Sequence, residues 1–247
     1  MNPEQVRAFM RSVRWSARNA RAYDRHAAVS RRADWKTVIA TALDGVPPGA
    51  KVLDVGTGTG FVAGILAELG YEVLGVDLSP AMLERARENL ARLNVASRVS
   101  LREGTAEALN LPDASVEGII SRWVLWTLPE PERGIQEMAR VLKPGGRLVI
   151  IDGQPVEQGL LGRTQSGLAD FLLTGRRPGW NRGFWDQVSP HLPRMGMAQI
   201  LASLHRHGLV RIRTQEALER TVEGSVRTFL LGGGWNSFLV QGDRPAC

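Results

Sequence analysis

The sequence predicts an α/β fold, a mainly parallel sheet with helices on both faces. Three observations carry this expectation. Short aliphatic runs recur between amphipathic helical stretches, the pattern of a sheet covered on both sides. A glycine-rich turn joins the first of these runs to the helix after it. A chain of 247 residues is also long enough to bury a sizeable core in one large domain, or in one domain with a lid.

The first strand and its turn are read from Lys51 to Gly64, Lys-Val-Leu-Asp-Val-Gly-Thr-Gly-Thr-Gly-Phe-Val-Ala-Gly. Val52, Leu53, Asp54 and Val55 form the strand, and Gly56, Gly58 and Gly60 let bare backbone approach a ligand. Phe61, Ile65, Leu66 and Leu69 follow at helical spacing, so a helix N-terminus faces the turn. Strand, turn and helix together predict a nucleotide-type pocket. A dinucleotide fingerprint would need glycine where Phe61 stands.

Four further segments follow in order. Tyr71 to Asp77 is a second strand ending in a carboxylate, placed to accept hydrogen bonds from ribose hydroxyls. Asp77 with Ser79-Pro80 also reads as a helix entry. Arg98 to Leu101 is a third strand, followed by Glu103-Gly104-Thr105-Ala106-Glu107. Val116 to Ser121 is a fourth, leading into Arg122-Trp123-Val124-Leu125-Trp126-Thr127-Leu128-Pro129. Lys143-Pro144-Gly145-Gly146 ends a helix and turns the chain into an apolar fifth strand that closes at Asp152. After a helix from Gln199 to His207, Leu209 to Ile212 and Ser237 to Val240 supply a sixth and seventh.

The five segments between Lys51 and Asp152 resemble the motifs of class I S-adenosylmethionine-dependent methyltransferases, small-molecule branch. The branch includes ubiquinone/menaquinone-type and secondary-metabolite enzymes. The resemblance implies a Rossmann-like seven-stranded sheet, mostly parallel with the last strand antiparallel. It implies S-adenosyl-L-methionine as cofactor and S-adenosyl-L-homocysteine as product. It would place Asp54, Gly56, Thr57, Gly58 and Gly60 at the cofactor through the glycine turn. Asp77, Leu78 and Met82 would serve its ribose and adenine, and Thr105, Ala106, Glu107 and Ser121 complete the expected set. Met82 reads equally as core, and Glu107 as a solvated loop carboxylate.

The expected organisation is a helical cap over 1–48, a cofactor-binding core over 49–152, a lid over 153–196 and the rest of the core sheet over 197–247. The sulfonium of the donor already activates its methyl group, so the protein must mainly align donor and acceptor and exclude water. A base is needed only where the acceptor must lose a proton. Tyr23 and His26 of the cap are the preferred pair. Trp123, Trp126, Trp180, Trp185 and Trp235, with His191, lie in loops or the lid and are expected to meet the acceptor. Aromatic walls favour a planar aromatic or heteroaromatic small molecule, methylated on N or O. These tryptophans read otherwise as packing between lid and core.

Absences narrow the chemistry. The Asn-Pro-Pro-Tyr motif is missing after the fourth strand, and the chain has no Pro-Cys nucleophile. His, Cys and Asp show no metal-ligand spacing, so no metal is expected. The lone cysteine, Cys247, cannot pair within the chain. Without a long apolar span or a signal-peptide core, the expectation is a cytoplasmic protein with no membrane span.

Residues 1–36 hold nine basic side chains against three acidic ones, an excess equal to the whole net charge of +6. Arg7, Arg11, Arg14, Arg18, Arg21 and Arg25 fall on one stripe of a helix, read first as a solvated face. An RNA-facing strip is the second reading, and a contact with an acidic partner the third. A protein that binds the cofactor without methylating is the alternative from another class, and a homodimer is compatible with all of them.

Overall fold

The computed structural model describes residues 1–17, 19–21, 31–155, 182–218, 222 and 235–246. Seven strands form one sheet: β1 (Lys51–Val55), β2 (Glu72–Asp77), β3 (Val99–Glu103), β4 (Val116–Arg122), β5 (Leu142–Pro155), β6 (Val210–Gln215) and β7 (Trp235–Asp243). Their order is β3-β2-β1-β4-β5-β7-β6. The first five pair in parallel, and β7 runs antiparallel between β5 and β6. This is the expected mixed sheet. Chain order reverses between β1 and β4, which opens a crevice beyond the carboxyl ends of those strands.

Helices cover both faces: α1 (Pro3–Phe9), α2 (Arg32–Ala42), α3 (Phe61–Glu68), α4 (Pro80–Arg92), α5 (Pro131–Val141), α6 (Arg182–Val188) and α7 (Met197–Arg206). Side chains alternate across a strand, so parity decides which helices each one meets. Val52, Val73, Ile120 and Ile151 face Trp35 and Ile39 of α2 and Ile65 and Leu66 of α3. Leu53, Val55, Ile119 and Ile150 face Ile135 and Met138 of α5 and Leu204 of α7. Each such aliphatic side chain, fully buried, contributes about 1.5–3 kcal/mol. The two-sided burial explains why the central strands read as continuous aliphatic runs rather than as alternating ones.

The last two strands extend beyond their expected bounds, because pairing with β5 carries β7 from Trp235 to Asp243. Arg147 and Arg211 both reach Asp243, at 2.7 and 3.0 Å, and tie this edge together. Among the described residues no helix is long and apolar enough to cross a membrane.

The N-terminal segment departs from the expected continuous helix. Asn2 and Gln5 cap α1 reciprocally, and Pro3 sits in its first turn. After Phe9 the chain widens into a π-helical turn, Met10–Arg14, with the Trp15 N–H donating to Met10 O at 2.9 Å. The extra residue in that turn breaks the 3–4 spacing of the arginine stripe. Val6 and Met10 bury against Val188 and Leu192, so α1 packs on α6 and the turn after it.

Gly75 lies in β2 directly above the glycine turn. A Cβ there would sit 2.8 Å from Leu101 Cδ2 and 3.0 Å from Thr57 Oγ1. Gly75→Ala is expected to lower stability by about 1–3 kcal/mol through overpacking. The urea midpoint measures it, and an unchanged midpoint would show that the turn yields freely.

Candidate cofactor and acceptor cleft

The turn after β1 is held against the end of β2. Gly56 N–H and Thr57 N–H both donate to Val76 O, at 2.8 and 3.0 Å. Gly58 N–H donates to Asp77 Oδ2 at 2.9 Å. Gly56 and Gly58 adopt φ of +69° and +54°, a region other residues enter only at a cost. Val124, from the loop after β4, fills the place a side chain at Gly56 would need: a Cβ there would stand 2.2 Å from its Cγ2.

Asp77 faces the cleft from the far side of this turn, half-buried. Its other oxygen accepts from Ser79 N–H at 2.9 Å. Each oxygen has one backbone donor and retains a lone pair for a further hydroxyl. Burial raises its pKa to about 6, against the lowering pull of the two N–H groups. Beside it, Leu78, Met82 and Ala106 provide an apolar bed, with Met82 and Ala106 buried. The arrangement fits a nucleoside: two acceptor positions for adjacent ribose hydroxyls, next to an apolar surface for a flat base. The cleft encloses about 730 Å³ of atom-free space, part of it open to solvent.

Glu107 is buried rather than solvated, at 2% exposure. Thr105 Oγ1 donates to it, and Arg7 Nη1 reaches it at 3.2 Å and Glu130 at the same distance. Arg11 pairs with Glu103 at 2.8 Å, and Ser79 Oγ donates to Trp15 O at 2.6 Å. Two arginines of the stripe, Arg7 and Arg11, therefore pair with carboxylates of the core, while Arg11 and Arg21 remain exposed. Arg7, Met10 and Trp15 consequently line the cleft.

The opposite end is built by β4. Arg122, its last residue, is 8% exposed, and its guanidinium carbon lies 3.9, 4.4 and 5.1 Å from the ring centroids of Trp123, Trp35 and Phe61. Parity explains this: Arg122 shares the face of Ile120, toward α2 and α3. Trp123 follows at φ 57°, which costs a bulky residue about 1–2 kcal/mol. Its N–H bond to Ile151 O at 2.7 Å and its ring contacts hold it there.

Two buried carboxylates support the turns from behind. Asp54 accepts from Thr57 Oγ1 at 2.6 Å, and burial pushes its pKa up to about 7. Burial likewise raises Asp152 to about 7 while it accepts from Gly153 N–H at 2.8 Å and Trp126 N–H at 3.3 Å.

The structure thus brings Gly56, Gly58, Asp77, Leu78 and Met82 to one cleft with Thr105, Ala106, Glu107 and Trp123. Asp54 and Thr57 lie behind the wall, buried and bonded to each other. Gly60 turns toward α4, where a Cβ would meet Ala86 at 3.2 Å. Ser121 is buried outside the lining, and Trp126 lies outside it too. His191 lies away from the cleft, 3.0 Å from the N-terminal ammonium. Tyr23, His26, Trp180 and Arg18 lie outside the described residues, as do the side chains of Trp185 and Trp235. Sequence reasoning did not place Arg7, Met10, Trp15 or Arg122 in the cofactor cleft. The signal for Arg122 was its place directly after the fourth strand.

Comparison with known proteins agrees with the fold. Residues 53–150 match the family model described as a methyltransferase domain. Phosphatidylethanolamine N-methyltransferase of Cereibacter sphaeroides is 35% identical over 136 residues, covering 55% of this chain and 65% of that protein. Demethylmenaquinone methyltransferase of Desulfitobacterium hafniense is 34% identical over 153 residues, covering 60% and 53%. The chain thus spans less than two thirds of the length of these relatives. Among solved structures, Haemonchus contortus phosphoethanolamine N-methyltransferase 2, in complex with phosphomonomethylethanolamine and S-adenosylhomocysteine, superposes with a TM-score of 0.68. That match has 19% identity over 97% of this chain and 60% of the other. The [4+2]-cyclase SpnF gives 0.62 at 19% identity, covering 87% and 82%. Sheet, cleft and domain match together define a class I methyltransferase fold. Residues 53–150 thus carry the likeness to a methyltransferase domain, within a fold shared with solved methyltransferase structures.

The raised carboxyl groups make a pH prediction for the chain without ligand. Between the unfolded value near 4 and the folded values of about 6 to 7, the folded state holds protons that the unfolded state lacks. Their contribution to stability is therefore full below about pH 4 and is lost as pH rises through 6 to 7. Denaturant unfolding across this window is expected to show the decline, flattened in Asp54→Asn. An Asp54→Asn variant with the wild-type slope would contradict the assignment.

Proposed function

We propose that the chain transfers a methyl group from S-adenosyl-L-methionine to N or O of a small, planar aromatic or heteroaromatic acceptor, without a metal. The observation that carries the donor half is Asp77, with acceptor capacity on both oxygens beside the bed of Leu78, Met82 and Ala106. Bound donor would supply a methyl group activated by its sulfonium. The chain's own part is placement: Asp77 would hold the ribose, Met82 and Ala106 the adenine, and the Gly56–Gly58 turn would admit the tail.

Support for a flat acceptor comes from Trp15, Trp123 and Met10 in the cleft wall. Such side chains exclude water and offer faces for stacking. Tyr23 and His26 are the proposed pair for taking up an acceptor proton. Arg7 and Arg11 argue against an RNA-facing stripe, because both are paired with carboxylates of the core. A small-molecule acceptor is the reading they favour.

Methyl-labelled donor offered with phenols, nitrogen heteroaromatics and aliphatic amines tests the reading. Transfer to the aromatic compounds is expected; transfer confined to aliphatic amines or to RNA would overturn the acceptor class. Asp77→Ala is expected to weaken donor binding by about 1.5–3 kcal/mol, the worth of charge-assisted hydrogen bonds. Calorimetry giving an unchanged affinity would remove the ribose assignment.

A further inference from the structure

We propose that Ser79 is a positioning residue that fastens the N-terminal segment to the donor site through Trp15, so that donor binding and docking of this segment strengthen each other. The inference rests on the donor reading above, and Ser79 itself touches no ligand.

The π-helical turn Met10–Arg14 ends on carbonyl groups that need partners beyond the helix. Val13 O and Arg14 O accept from Asn19 Nδ2, at 2.8 and 3.0 Å, within the segment itself. Trp15 O instead accepts from Ser79 Oγ at 2.6 Å, 64 positions further along the chain. The segment also reaches the core by ion pairs, but Arg11 and Glu103 are 51% and 47% exposed, and pairs in water hold weakly. Ser79 is fully buried, so its bond to Trp15 is shielded from that competition.

Ser79 serves three partners at once. Its N–H donates to Asp77 Oδ1 at 2.9 Å. Its hydroxyl oxygen caps α4 by accepting from Met82 N–H at 3.2 Å. The single hydroxyl proton goes to Trp15 O. Asp77 and Met82 are the residues that would take ribose and adenine, and Met10 and Trp15 line the same cleft, whereas Ser79 stands behind it. The Arg14 guanidinium, 4.9 Å from the Trp15 ring centroid, steadies that ring. One side chain thus joins the donor's bed to the segment that walls it. Linkage makes the effect reciprocal: a docked segment tightens the donor, and bound donor holds the segment by the same factor.

Calorimetry with S-adenosylhomocysteine, paired with hydrogen exchange of the backbone amides of residues 10–17, tests the proposal. In the wild type the ligand is expected to slow exchange of these amides. Ser79→Gly removes the latch while keeping the helix start, because glycine serves nearly as well as serine at an N-cap. It should weaken S-adenosylhomocysteine about fivefold, the worth of one hydrogen bond, and abolish the ligand's protection of residues 10–17. Ser79→Thr keeps the hydroxyl and should stay within about twofold of wild type on both measures. Unchanged affinity in Ser79→Gly would overturn the proposal. So would weaker affinity with the protection of residues 10–17 retained, which would leave Ser79 a support of α4 alone, or equal losses in the glycine and threonine variants. A wild-type chain that does not bind S-adenosylhomocysteine would fail the donor reading itself; wild-type binding with no effect on residues 10–17 fails only the latch.

Discussion

The hinge of the structure is the clamp between the glycine turn and the end of β2. Val76 O takes the N–H groups of Gly56 and Thr57, and Asp77 takes that of Gly58. These bonds fix the turn at the level where β2, β1 and β4 end together. They also orient the Asp77 carboxylate, because one of its oxygens accepts the Gly58 N–H. The cleft floor, the acid at one side and the β4 end at the other therefore depend on one small set of backbone bonds. Such backbone donors arrive without side-chain freedom to lose, which makes the arrangement preorganised.

Around that clamp the charges are unevenly satisfied. Asp54 and Asp152 are buried with few donors and lie well above the usual carboxylate range. Both stand behind turns that line the cleft, Asp54 under the glycine turn and Asp152 under the loop after β4. Glu107 is buried too, but Arg7 reaches across from α1 to meet it. The N-terminal segment is thereby part of the cleft wall rather than an appendage. Its contacts reach Glu103 at the end of β3, Ser79 before α4 and Glu107 after β3.

Much of this was legible in the amino-acid order, for identifiable reasons. The central strands are buried on both faces, so Val52-Leu53 or Ile119-Ile120 read as strands without help from alternation. Gly56, Gly58 and Asp77 were legible because their spacing follows from one strand-turn-helix unit. Bounds at the sheet edge were not, since β6 and β7 end where their partners end. Arg7 was misread because local spacing shows a stripe but not the carboxylates on which it docks, and a π turn then interrupts the spacing itself. Arg122 was passed over because its surroundings come from α2, α3 and the loop after β4, which strand parity assembles but no local pattern displays.

The most direct measurement is a crystal structure of the chain with S-adenosylhomocysteine. The account predicts both ribose hydroxyls within hydrogen-bonding distance of the Asp77 carboxylate, the adenine against Met82 and Ala106, and the tail crossing Gly56. A ligand bound with its ribose away from Asp77, or outside this cleft, would contradict it.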